Sequence, residues 1–280
     1  MPLLLAGCAP ADPAPKAKPA MWLVADADTR IYMLGTMHAL PRGTDWDDGA
    51  VGQAIASADE LIMELSPREL AAAGTMFQRL APRAASLPIE ARLSGAALAR
   101  YRALEASGGS FGGEKLDDWA IMILIGQRAA RAADLSPAAG VEKGLTEIFA
   151  AADKPIRGLE SAQSQLMLFE NLDASTQRAL LTRAATGADG AVGKINALTA
   201  AWGSGDVDGL EQMINADVDT VPAARKAIIT DRNRRWTVWA KRRMAQPGTV
   251  LMAVGTGHLV GADGVPAMLG AEGMTVTRVQ

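Results

Sequence analysis

Cysteine occurs once in this 280-residue sequence, at Cys8, and histidine only twice, at His38 and His258. A single thiol excludes an internal disulfide and a zinc cluster built from cysteines. Aromatic side chains are also scarce, with 2 Tyr and 4 Phe, so the core has to be aliphatic. The 13 Met residues are read as gap-fillers and given no role. A net charge of −3 with 21% charged residues lacks the basic footprint of a nucleic-acid binder, and no nucleic-acid partner is expected. Apolar runs of the roughly 18 residues that span a bilayer are missing as well. Ala120-Ile121-Met122-Ile123-Leu124-Ile125, for example, is stopped by Gly126-Gln127-Arg128.

What is present begins with an unusual N-terminus. Leu3-Leu4-Leu5-Ala6-Gly7-Cys8 is an apolar run ending in small residues, followed by a Pro/Ala stretch too poor in large apolar groups to fold. Leu5-Ala6-Gly7-Cys8 resembles the lipobox of bacterial lipoproteins, in which the cysteine is lipidated and becomes the mature N-terminus. Residues 1–20 are therefore expected to be a signal remnant and flexible tether, with Cys8 the lipidation site and the only membrane attachment. The residue after Cys8 is not Asp, which points to the periplasmic face of the outer membrane, or otherwise to the periplasm. The run is short and lacks a basic start, which leaves the true start codon open.

From Met21 onward the chain reads as one domain, residues 21–280. Residues 21–24 and 30–34 are two strands joined by a polar turn, a β-hairpin. The second strand runs into Gly35-Thr36-Met37-His38. The Asp47/Asp48 pair is placed to cap a helix carrying Val51, Ile55 and Ala58 on one face. Residues 60–65 follow as a buried strand closed by Ser66-Pro67, and a strand-helix-strand unit implies a parallel sheet. A helical insertion is expected over about 67–135, with helices at 69–80, 95–106 and 117–133. Another helix spans 144–152, a strand 154–160, and nearly everything from Ser161 to Met244 is helical. The chain closes with an apolar strand from Gly248 into Gly255-Thr256-Gly257-His258, a helix from about Val265 and a strand at 274–279. The expected fold is α/β, or mixed α+β: a central sheet from the N- and C-terminal strands with a large helical middle packed over it.

Both histidines follow an apolar run, with Gly three residues before and Thr two before. With 28 glycines in 280 residues, that glycine offset at both histidines has a chance of about one in a hundred. In open α/β sheets ligands bind beyond the carboxyl ends of strands, where glycine lets the backbone turn sharply and approach a ligand. Gly35, Thr36, Gly255 and Thr256 are thus read as the turns that aim His38 and His258 into one crevice, and imidazole is a common metal ligand. The bland alternative is two unrelated histidines with local hydrogen bonds. Glu64 and Glu160 also end apolar strands, and each suits a ligand or a general base. Their bland readings are a strand end reaching solvent and a carboxylate favoured by a helix N-terminus. Arg232-Asn233 lies in a basic turn whose default is a solvated face, although Arg232 can serve as a bidentate donor to a carboxylate or oxyanion.

These residues together resemble the TraB/PrgY/GumN family, which includes the animal Tiki proteins. The resemblance is carried by Tyr32-Met33-Leu34-Gly35-Thr36-Met37-His38 with Leu40-Pro41, Glu64, residues 154–161 with Gln165-Leu166, Arg232-Asn233, and Val254-Gly255-Thr256-Gly257-His258-Leu259-Val260-Gly261. It implies a Tiki-like fold distantly related to erythromycin esterase-like and ChaN-like proteins. It implies also an active site made by the paired Gly-x-x-His motifs and an acidic residue, and metal-dependent proteolysis with manganese or cobalt preferred. Bacterial GumN-like members lie beside polysaccharide genes or are linked to peptide-pheromone shutdown. Trp236 and Trp239 are expected in the core. The resulting expectation is a divalent metal, zinc being a further candidate, held by His38, His258 and Glu64. Glu160 or Glu64 would act as base, and Arg232, with Asn233 beside it, would face the oxyanion. The substrate is a peptide amide or other small molecule. The competing readings are an envelope protein that binds a signalling peptide or polysaccharide without chemistry, and an esterase.

Overall fold

The centre of the sheet is supplied by the end of the chain. In the computed structural model, which describes residues 16–280, six strands lie in the order β4-β3-β5-β2-β1-β6. They are β1 (Met21–Ala25), β2 (Thr29–Thr36), β3 (Glu60–Leu65), β4 (Ile156–Glu160), β5 (Gly248–Gly255) and β6 (Val276–Arg278). The expected hairpin pairs β1 with β2 antiparallel, and β6 runs antiparallel along the other side of β1. The remaining pairs, β2 with β5, β5 with β3 and β3 with β4, are all parallel. A central parallel strand is covered on both faces and so needs an uninterrupted apolar run. Val250-Leu251-Met252-Ala253-Val254 is such a run, with every residue fully buried.

Helices cover both faces of this sheet. They are α1 (Gly49–Ser57), α2 (Pro67–Leu80), α3 (Gly95–Gly108), α4 (Asp118–Ala132), α5 (Val141–Ala151), α6 (Ala162–Glu170), α7 (Ala174–Thr186), α8 (Ala191–Ser204), α9 (Val207–Val218), α10 (Pro222–Arg225), α11 (Asp231–Arg243) and α12 (Val265–Ala271). Period-2 alternation sorts the strand residues. Leu34, Leu61, Met63, Leu251 and Ala253 pack with Val51 and Ile55 of α1, Leu145 and Phe149 of α5 and Trp202 of α8. Met33, Ile62, Val250, Met252 and Val254 pack with Trp236 and Ala240 of α11 and Val265 and Leu269 of α12, while Trp239 is half-buried against the same layer.

Several local expectations shift. Asp48 takes the N-cap position of α1, but its carboxylate makes no capping bond; it faces Lys16 instead, at 3.3 Å. Helix α5 begins at Val141, three residues ahead of its expected start at Gly144. Strand β5 ends at Gly255, and Thr256–His258 forms a single 3-10 turn. A π-helical turn, Lys226–Thr230, interrupts the helix ahead of Asp231. Residues 16–20, read as part of the tether, lie against the domain, with Ala17 N–H donating to Asp45 and Lys18 N–H to Gly203, both at 2.7 Å. Cys8 and the lipobox fall outside the described residues.

Beyond the sheet, helices α3, α4 and α7 share a cluster that includes Tyr101, Ile121, Ile125, Leu181 and Ala185. Its polar anchor is Asp118, 2% exposed at the start of α4. One Asp118 oxygen accepts from Arg92 Nε at 2.6 Å and the other from Arg178 Nε at 2.5 Å, which ties α4 to α7 and to the segment before α3. Removing this carboxylate leaves the buried Arg92 guanidinium without its counter-charge. Asp118→Ala is therefore expected to lower stability by about 3–5 kcal/mol, read by urea unfolding; a loss below about 1 kcal/mol, the scale of an exposed pair, would show the anchor to be dispensable.

Candidate active site

Four parallel strands end on the same edge of the sheet, and each delivers one chemically active residue there. Strand β2 leads into His38, β5 into the turn that holds His258, β3 carries Glu64 and β4 ends at Glu160. The register places Gly35 beside Val254 and Thr36 beside Gly255, which brings the two motifs together. Their glycines are needed for different reasons. A Cβ on Gly35 would run into Thr256 Oγ1, so this glycine permits the close approach of the two strand ends. A Cβ on Gly255 would stand 3.1 Å from Glu64 Oε1, 3.8 Å from His258 Cδ2 and 4.0 Å from His38 Nε2. That glycine keeps open a cradle edged by one carboxylate and two imidazoles.

The two histidines differ in environment. His38 is exposed, and its Nδ1 is 2.7 Å from Glu142 Oε1, which also accepts from Thr36 Oγ1 at 2.5 Å. The Glu142 carboxylate, by charge and by hydrogen bond, raises His38 to about 9. Burial alone would raise Glu142, but His38 and the Thr36 hydroxyl outweigh it and hold the carboxylate below its ordinary range. His258 is 5% exposed and lies over Trp236, ring centroids 4.5 Å apart. Asn233 Nδ2 donates to the Asp263 carbonyl at 2.7 Å, so Asn233 Oδ1 faces His258 Nδ1, 2.6 Å away. The Nδ1 proton is thereby fixed, and the Nε2 lone pair accepts from Arg232 Nη1 at 2.8 Å. Burial outweighs the attraction of Glu64 and, with Arg232 and His38 nearby, lowers this imidazole to about 3. It is neutral at pH 7.

Arg232 is no surface residue. It is 5% exposed, and its Nη2 donates to Glu64 Oε2 at 2.6 Å and to Glu160 Oε2 at 2.8 Å. Its Nε bridges both Glu160 oxygens at 3.1 Å, and the guanidinium lies over the Trp236 ring at 4.6 Å. Glu64 has further donors in Gly255 N–H and Gln165 Nε2, both at 2.8 Å. Burial would raise Glu64, but His258, Arg232, His38 and the Gly255 N–H outweigh it and hold it at about 2. Glu64 and Glu160 both have their oxygens taken by donors, so neither is free for base work as the residues stand.

The structure thus gathers His38, His258, Glu64, Glu160, Arg232 and Asn233 at one strand edge. Sequence reasoning missed Glu142, because α5 was started at Gly144. Its signal was a carboxylate in a helical first turn just past Ser136-Pro137-Ala138-Ala139-Gly140. Gly140 lets that turn close on the motif, since a Cβ there would collide with the His38 carbonyl, and Val141 N–H donates to Met37 at 3.1 Å. Gln165 was noticed only as part of the family pattern, and Trp236 only as core.

Both imidazoles have Nδ1 fixed by an oxygen, the outer-shell arrangement typical of metal-ligating histidines, and an anionic carboxylate stands between them. In donor chemistry, two imidazoles and a carboxylate, His38, His258 and Glu64 fit a divalent ion. Among the described residues, however, no group of three His, Cys, Asp or Glu side chains is set closely enough to hold one as they stand. His258 Nε2 lies 3.9 Å from Glu64 Oε1, with Arg232 bonded to both residues.

Gly35→Ala is expected to cost about 1–3 kcal/mol through overpacking against Thr256. Adding Thr256→Ala removes the obstructing hydroxyl, so the double variant should recover most of that loss in thermal unfolding. Additive effects would mean that Gly35 is required for some other reason.

No curated protein and no solved structure matches the chain. A family model does, over residues 20–278, from just before β1 to the end of β6. With both Gly-x-x-His motifs, Glu64 and the Arg232-Asn233 pair meeting at one edge of a mixed sheet, the chain belongs to the TraB/PrgY/gumN family.

Proposed function

We propose that the protein is a metal-assisted hydrolase that cleaves amide bonds in peptides of the cell envelope. The observation that carries this reading is the gathering of Glu64 Oε1, His38 Nε2 and the Cδ2 edge of the His258 ring around Gly255, at 3.1, 4.0 and 3.8 Å from where its Cβ would stand. His38, His258 and Glu64 would hold the ion. When bound, a divalent ion supplies Lewis acidity that polarises a scissile carbonyl and acidifies water.

The chain's own residues prepare the rest. Glu142 and Asn233 fix the two Nδ1 positions, so that both imidazoles present Nε2. Glu64, already anionic well below neutrality, suits a ligand better than a base. Glu160 holds Arg232 at three contacts between 2.8 and 3.1 Å and acts as its positioning residue. Arg232, held on Glu160, then supplies a cation for the negative charge that develops on the carbonyl oxygen. A cavity of about 350 Å³ lined by Arg42, Trp46, Gly140 and Gly144 lies on the far side of the His38 backbone, where Gly140 packs on the His38 carbonyl, and would give room for part of a substrate.

The test is the metal content of purified protein after manganese or cobalt reconstitution, for wild type and His38→Ala/His258→Ala. Near-stoichiometric metal lost in the double variant supports the reading. Equal, negligible metal in both would replace it with a non-enzymatic envelope protein that binds a signalling peptide or polysaccharide. Turnover of chromogenic esters without peptide cleavage would turn the substrate class to esters. Glu142→Gln is expected to weaken metal binding about 10- to 100-fold while the fold persists, measured by titration calorimetry.

Export and lipid anchoring belong to the same proposal, supported by the Leu5-Ala6-Gly7-Cys8 pattern. Among the described residues no helix is long and apolar enough to cross a membrane. Cys8→Ser should therefore shift the protein from the detergent phase to the aqueous phase; unchanged partitioning would remove the anchor from the scheme.

A further inference from the structure

The Arg232 guanidinium has two sets of partners. Nε and Nη2 grip Glu160, with contacts of 3.1, 3.1 and 2.8 Å. Its other contacts reach into the proposed ion site: Nη2 to Glu64 Oε2 at 2.6 Å and Nη1 to His258 Nε2 at 2.8 Å. Since the His258 Nδ1 proton faces Asn233, Nε2 has a single lone pair, and Arg232 N–H already uses it. A lone pair that accepts a proton donor cannot at the same time bind a cation. The guanidinium also neutralises Glu64, the charge that would draw a divalent ion inward.

The backbone under Arg232 is unusual. It follows directly on the π-helical turn Lys226–Thr230, and Nη1 makes a further contact of 3.2 Å with the Ile228 carbonyl inside that turn. Such turns are irregularities that often mark functional sites. The guanidinium face rests on Trp236, a flat support that allows sliding without loss of a directional bond.

We propose that Arg232 is a built-in competitor for the cation position. In the metal-free protein it spans Glu64 and His258, and on metal entry it withdraws onto Glu160, which stays its anchor. Arg232 thereby sets the metal affinity of the site and neutralises the empty cleft. The inference rests on the metal-site reading above and adds to it a specific internal rival for the ion.

The experiment is equilibrium binding of Mn(II) and Co(II) to the full chain, by calorimetry and by the Co(II) absorption spectrum, for wild type, Arg232→Ala and Glu160→Gln. Each charged hydrogen bond displaced corresponds to roughly a tenfold or larger factor in affinity. Arg232→Ala should therefore bind either ion at least about ten times more tightly than wild type. Glu160→Gln, which removes the anchoring charge and leaves Glu64 as the guanidinium's one carboxylate partner, should bind more weakly. Wild-type binding that is unchanged or weakened by Arg232→Ala, or strengthened or left unchanged by Glu160→Gln, would overturn the competitor while leaving the metal site standing. Binding by none of the three would overturn the metal site itself. If Arg232→Ala does not fold, because two carboxylates lose their buried counter-charge, the direction of the Glu160→Gln change decides alone.

Discussion

The active edge of this protein depends on the parallel pairing of β2 with β5. Eight residue pairs, from Thr29 with Gly248 to Thr36 with Gly255, join segments more than 200 residues apart. Because the pairing is parallel, both strands finish at the same edge, and each is followed at once by a histidine. A slip of one residue would turn every side chain of β5 to the opposite face and exchange the two apolar layers around it. The fit of Gly35 against Thr256 marks the correct register sterically, so the same contact that aligns the strands aligns the imidazoles.

Electrostatics then divides the cleft into a fixed half and an adjustable half. The fixed half is the pair of Nδ1 contacts, Glu142 with His38 and Asn233 with His258, which leave the imidazoles little freedom to turn. The adjustable half is Arg232, whose charge balances two carboxylates that would repel each other without it. A buried guanidinium between two carboxylates is weak evidence of stabilisation and better evidence of specificity, because equivalent packing by apolar groups is generally no less stable.

Much of this was legible in the sequence where local pattern and chemistry coincide. The two Gly-x-x-His motifs end apolar runs, and the runs are strands; Glu64 ends another. What was hidden depends on distant partners. Arg232 sits among Asp231, Arg234 and Arg235, a composition that reads as solvated surface, and its burial follows from Glu64 and Glu160, 168 and 72 residues away. Glu142 was lost because α5 starts from Gly140 without a side-chain cap, so the usual Ser, Thr, Asp or Asn marker is missing. Asp48 errs the other way: it stands at a cap position, yet its carboxylate pairs with Lys16 instead.

The place of β5 also has a consequence for how the chain comes to be folded. Strand order puts it between β2 and β3, both of which leave the ribosome more than 180 residues earlier. Until the final segment is made, β2 and β3 each have an unpaired parallel edge, and no hairpin within the early chain satisfies it. The nascent protein is thus held incomplete by its own topology, open along its middle. A non-local closing strand of this kind makes folding slow and favours its completion after synthesis ends.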